Sequence, residues 1–120
     1  MTSPITCHVL DSSTGRPAEG VEIELQSFSS AHSIESPAGF CLLARGSTNA
    51  DGRANLLQNV AFPAGIHKMI FKTKEYFERT QRKSFYPWVE IVFTIEDPVA
   101  EHYHIPLLIS PYSYTTYRGS

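Results

Sequence analysis

Val21-Glu22-Ile23-Glu24-Leu25-Gln26 alternates apolar and polar side chains residue by residue. A period of two belongs to an extended strand with one packed face and one wet face. Residues 21–28 are therefore expected to form a half-buried strand. Upstream, residues 5–11 give a first strand, closed by the turn-forming run Ser12-Ser13-Thr14-Gly15-Arg16-Pro17. Downstream, residues 29–39 are rich in serine and predict a mobile loop. Residues 40–48, 53–57, 66–72, 88–95, 102–109 and 113–118 read as further strands, being β-branched and aromatic between turn signals. Asn49-Ala50-Asp51-Gly52 is one such signal and Phe62-Pro63-Ala64-Gly65 another. Thr73 is expected to cap a short helix over residues 74–81 through its hydroxyl, with Tyr76 and Phe77 fastening that helix to the sheets. Eight short strands in two layers make this an all-β sandwich.

With 120 residues the chain has room for one domain, spanning residues 1–120. Hydrophobic residues at 42% and charged residues at 18% exclude a disordered chain. Ten Lys+Arg against twelve Asp+Glu supply no electrostatic footprint for nucleic acid or an anionic membrane. The longest uncharged apolar run, 105–109, falls far short of the ~20 residues that cross a bilayer. No basic start with an apolar segment opens the sequence, and its last residues are not a peroxisomal address, so the expected compartment is the cytosol. Import into peroxisomes with another protein stays open. Cys7 and Cys41 are too few for a disulfide framework and read as small hydrophobes in apolar stretches. The lack of a secretory signal and of a Cys…Trp…Cys arrangement argues against an immunoglobulin-like adhesion module.

The five histidines separate by position. His32 lies in the serine-rich stretch and His67 on a strand, neither with an obvious polar partner. His8 and His104 each interrupt an apolar strand. Strand parity sets Thr6, His8 and Leu10 on one face of the first strand, and His102, His104, Pro106 and Leu108 on one face of the seventh. Each imidazole thus lies among apolar neighbours on a face that something must cover. A buried structural histidine accounts for either one taken singly. A metal site is disfavoured, because His102-Tyr103-His104 offers two ligands from one face and no third. Arg53, directly after Asp51-Gly52, either solvates a strand end or holds an anion or carbonyl oxygen with its fixed charge.

Longer blocks narrow these alternatives. Cys7-His8-Val9-Leu10-Asp11 with Gly15-Arg16-Pro17-Ala18, then Thr48-Asn49-Ala50-Asp51-Gly52-Arg53, Phe85-Tyr86-Pro87-Trp88-Val89-Glu90-Ile91 and His102-Tyr103-His104-Ile105-Pro106-Leu107-Leu108, resemble successive blocks of the transthyretin-like family. The closing Tyr117-Arg118-Gly119-Ser120 is similar to the signature of that family's hydrolase branch. The resemblance implies a sandwich of two four-stranded sheets with one short helix. It also implies a homotetramer, a dimer of dimers, with sites in a central channel. The implied reaction opens the cyclic ureide 5-hydroxyisourate at a ring C–N amide bond without metal or other cofactor. His8 and His104 would share the acid and base roles, and Arg53 would stabilise the oxyanion. His8, Arg53, Tyr117 and Ser120 would hold the substrate. Arg118, of opposite parity to Tyr117, is a weaker candidate that would anchor the tail. A carrier for a small aromatic ligand, as in the hormone-binding branch, is the alternative, but that branch carries other residue types at these positions.

Overall fold

The computed structural model describes residues 4–29, 39–56, 63–96 and 102–119. His32, Ser120 and the stretch 30–38 lie outside the described residues. Among the described residues nine strands and one helix follow in chain order: β1 (Ile5–Asp11), β2 (Arg16–Pro17), β3 (Glu22–Ser29), β4 (Gly39–Ser47), β5 (Arg53–Asn55), β6 (Gly65–Phe71), α1 (Thr73–Arg79), β7 (Val89–Ile95), β8 (Tyr103–Ser110) and β9 (Ser113–Thr116). One sheet runs β2-β1-β8-β9 with β5 also on β1, and the other runs β4-β3-β6-β7. β2 and β5 share one edge of β1: Arg16 and Pro17 pair with Asp11 and Leu10, while Arg53 and Asn55 pair with His8 and Thr6. Each sheet is therefore four positions wide, as expected. The two-residue β2 is an addition, since the turn over residues 12–15, ending at Gly15 with φ +72°, brings residues 16–17 straight back beside β1. Ser29 and Gly39, expected in a loop, instead pair as the end residues of β3 and β4.

The core follows from parity. Ile5, Cys7 and Val9 of β1 and Ile105, Leu107 and Ile109 of β8 face Ile23, Leu25, Met69, Phe71 and Val89 of the other sheet. Cys7 is fully buried, and burial pushes its thiol pKa up to about 12. Cys41 is exposed rather than packed, because β4 is an edge strand. His67 is buried on the inner side of β6, stacked on Phe93 with ring centroids 6.0 Å apart.

The helix docks as expected but starts differently. Thr73 is its first residue and is buried, so its hydroxyl does not cap; Lys72 holds the cap position without a side-chain hydrogen bond. Tyr76 and Phe77 are buried, and Tyr76 Oη donates to Asp11 Oδ2 at 2.9 Å. Arg82 Nη2 pairs with the same carboxylate oxygen at 2.7 Å. Burial pushes the Asp11 carboxyl up, but hydrogen bonds from Arg82, Ser13 and Tyr76 outweigh it and leave the pKa below 3.8. Removing one partner of a buried pair strands the other charge, so Arg82→Met is expected to destabilise the fold by about 3 kcal/mol in denaturant titrations. A depressed carboxyl contributes stability above its unfolded pKa and loses it as pH falls through the folded value. The difference between Arg82→Met and the parent should therefore shrink in strong acid. A difference that is absent at neutral pH contradicts this role.

Candidate active site

On β1 the buried Ile5, Cys7, Val9 and Asp11 alternate with half-buried Thr6, His8 and Leu10, which face away from the core. β8 runs parallel to β1, with Thr6 beside His104 and His8 beside Pro106. Two rows consequently cross the outer face of this sheet. One is Arg53–His8–Pro106 and the other is Asn55–Thr6–His104. The tail extends both, for Gly119 bridges to His104 and the same register sets Tyr117 beside Pro106. Side chains directly across a strand pair have Cβ atoms ~5 Å apart and diagonal neighbours ~7–8 Å. His8, Arg53 and His104 thus border an area the size of one small ring.

Local sequence explains each placement. Asn49 Oδ1 accepts from the N–H groups of Asp51 at 2.9 Å and Arg53 at 3.1 Å. Gly52 takes φ +76°, and a Cβ there would overlap the Val9 carbonyl oxygen. Only glycine lets this turn close tightly enough to set Arg53 opposite His8. Pro106 is unusual in an interior strand. The Gly119 N–H donates to the His104 carbonyl at 2.9 Å, so the next paired position would need an N–H from residue 106, and proline has none. β9 accordingly ends at Thr116, whose hydroxyl donates to the Pro106 carbonyl at 2.7 Å. Past that point Tyr117 is 59% exposed, and the Arg118 guanidinium lies 4.8 Å from the Tyr103 ring centroid. Gly119 then lies flush on the histidine: an added Cβ would sit 2.7 Å from His104 Cδ2.

His104 is the electrostatic centre. Burial lowers its pKa from the usual 6.5, and electrostatic interaction with Arg53, His102 and His8 lowers it further. Its imidazole is neutral at pH 7 and able to accept a proton. Thr6 Oγ1 lies 2.8 Å from His104 Nδ1, which leaves Nε2 as the reactive nitrogen. Parity alone sets Thr6 on the face of His8; its contact with His104 depends on the parallel register of β1 and β8, which one sequence does not reveal. Among the described residues no three His, Cys, Asp or Glu side chains group as metal ligands. A cavity of about 320 Å³ opens beside the tail between the sheets, lined by Ile91, Phe93, Glu96, His104, Tyr117 and Arg118.

The fold and this surface define a β-sandwich protein that offers imidazole and guanidinium chemistry from a sheet face rather than from a cleft between domains. The chain belongs to the HIUase/Transthyretin family, whose model matches residues 5–119. It is 43% identical to mouse 5-hydroxyisourate hydrolase over 121 residues, covering 99% of this chain and 97% of the relative. The structure of Klebsiella pneumoniae 5-hydroxyisourate hydrolase superposes with a TM-score of 0.77 at 36% identity, covering 98% of this chain and 94% of that one. Sea bream transthyretin in complex with thyroxine superposes with a TM-score of 0.82 at 32% identity, covering 97% and 94%.

Proposed function

We propose that this chain is an enzyme that hydrolyses 5-hydroxyisourate, opening a ring C–N amide bond to give 2-oxo-4-hydroxy-4-carboxy-5-ureidoimidazoline in urate degradation. The convergence of His8, Arg53 and His104 on one outward sheet face carries the reading. Backbone similarity does not separate it from a carrier, since the thyroxine-bound transthyretin superposes at least as well as the Klebsiella hydrolase. The side chains do. A carrier that only encloses an aromatic ligand has no use for a neutral imidazole beside a guanidinium.

In this mechanism His104 Nε2 takes a proton from water as the oxygen attacks the ring carbonyl carbon. A well-placed general base contributes ~10²–10⁴ in rate. Arg53 donates to the carbonyl oxygen as it becomes an oxyanion. His8 supplies the proton to the departing nitrogen, the C–N bond breaks, and the carbonyl carbon becomes a carboxylic acid that releases its remaining proton to solvent. Tyr117 bounds the ring laterally.

A lone chain leaves this face open, with Leu10 and Leu108 half-buried beside the histidines. Among the described residues β7 and β9 are the end strands of their sheets, and both border the cavity beside the tail. Pairing of these edges between two copies would extend both sheets, and two such dimers packed face to face would close a channel over the site. The assembled form is thus a homotetramer acting on a small molecule in the cytosol. No helix among the described residues is long and apolar enough to cross a membrane. Freshly generated 5-hydroxyisourate should lose its ultraviolet absorbance faster with the purified protein than without it. Binding of the compound with no acceleration returns the carrier reading.

A further inference from the structure

Thr6 touches more than His104. Its Oγ1 also lies 3.1 Å from Nε2 of His102, and the two imidazoles stack with centroids 6.3 Å apart and planes inclined by 16°. A hydroxyl has one hydrogen to donate, so it cannot donate to both nitrogens at once. Two arrangements satisfy all three groups. In one, His104 Nδ1–H donates to Oγ1 and the Thr6 hydroxyl donates to His102 Nε2, leaving His104 Nε2 bare. In the other, Thr6 donates to His104 Nδ1, His104 carries its hydrogen on Nε2, and His102 Nε2–H donates to Oγ1.

We infer that Thr6 is a positioning residue that couples the tautomers of His104 and His102 and relays a proton between them. The inference rests on the assignment of His104 as the base. As water gives its proton to His104 Nε2, the Nδ1 hydrogen moves to Thr6 Oγ1 and the hydroxyl hydrogen moves to His102 Nε2. His104 ends neutral, Thr6 again holds one hydrogen, and the positive charge resides on His102, which releases a proton from Nδ1 to solvent. Resetting runs the other way: His102 regains a proton on Nδ1 from water and passes its Nε2 hydrogen to Thr6, Thr6 passes its own hydrogen to His104 Nδ1, and the His104 Nε2 hydrogen leaves to solvent. His104 is half-buried and feels the Arg53 guanidinium, whereas His102 is exposed, so the relay carries the charge outward to water.

The test compares Thr6→Val, which keeps the side-chain shape without the hydroxyl, with Thr6→Ser, which restores it. Thr6→Val should lower kcat about tenfold or more, short of the ~10²–10⁴ expected for loss of the base itself, and leave KM nearly unchanged. Thr6→Ser should recover most of that loss. Thr6→Val/His102→Gln should be no slower than the slower single variant, because both remove the same relay. Without substrate, Thr6→Val should shift the nitrogen resonances of His104 Nδ1 and His102 Nε2 together. Full kcat in Thr6→Val, no rescue by serine, additive losses or unmoved resonances would each overturn the relay. A wild-type protein without turnover defeats the hydrolase reading instead, and an inactive His104→Ala beside a normal Thr6→Val defeats the relay alone.

Discussion

His104→Ala is expected to lower kcat for 5-hydroxyisourate by ~10²–10⁴, the usual contribution of a general base, with fold and assembly intact. The side chain lies on the outward face of β8, so its removal opens no hole among the packed residues of the core. His8→Ala and Arg53→Glu should act similarly, the second because it loses the donor to the oxyanion and sets a negative charge in its place. One missing oxyanion donor typically lowers kcat by ~10²–10³. The pH profile separates these roles. Burial and then the Arg53 guanidinium depress the His104 pKa, so activity should hold until pH falls below the ordinary imidazole range. Arg53→Gln removes that charge and should move the acid limb upward. Near-normal turnover in all three of the severe variants would relocate the chemistry.

The tail gives the second large effect. Gly119→Val places side-chain atoms where a Cβ alone would be 2.7 Å from His104 Cδ2 and 3.1 Å from Pro106 Cγ. Either the ring rotates off Thr6 or the tail lifts from β8, and both disturb the nitrogen that takes the proton. A displacement of ~1 Å in a reacting group can lower the rate ~10²-fold. Turnover should therefore fall about that far, while the denaturation midpoint changes little because Gly119 lies beyond β9. Deleting residues 117–120 should do at least as much. Stability lost in proportion to activity would make the tail a structural strap.

Much of the frame was legible from alternation. β1 spans the residues expected of it, because Ile5, Cys7 and Val9 must be buried together and the run Ser12–Gly15 cannot continue a strand. His8 and His104 were legible as outward-facing residues for the same reason. Pairing between strands was not. The contact of Thr6 with two imidazoles, and the closeness of Arg53 to His8, depend on which strands are neighbours and in what register. The Thr73 cap was misread for a related reason: hydroxyl chemistry suits a cap, but core packing claimed the side chain. Arg118 was legible only as a residue of opposite parity to Tyr117, and its partner Tyr103 was not.

The most direct test of the account is a crystal structure of the assembled protein with a planar urate analogue that cannot be hydrolysed. The ring should lie against the outer face of β1 and β8, with a carbonyl oxygen within hydrogen-bond distance of Arg53 and His104 Nε2 turned toward the attacked carbon. A ring seated instead in the cavity lined by Ile91 and Phe93, with Arg53 and His8 untouched, would contradict it.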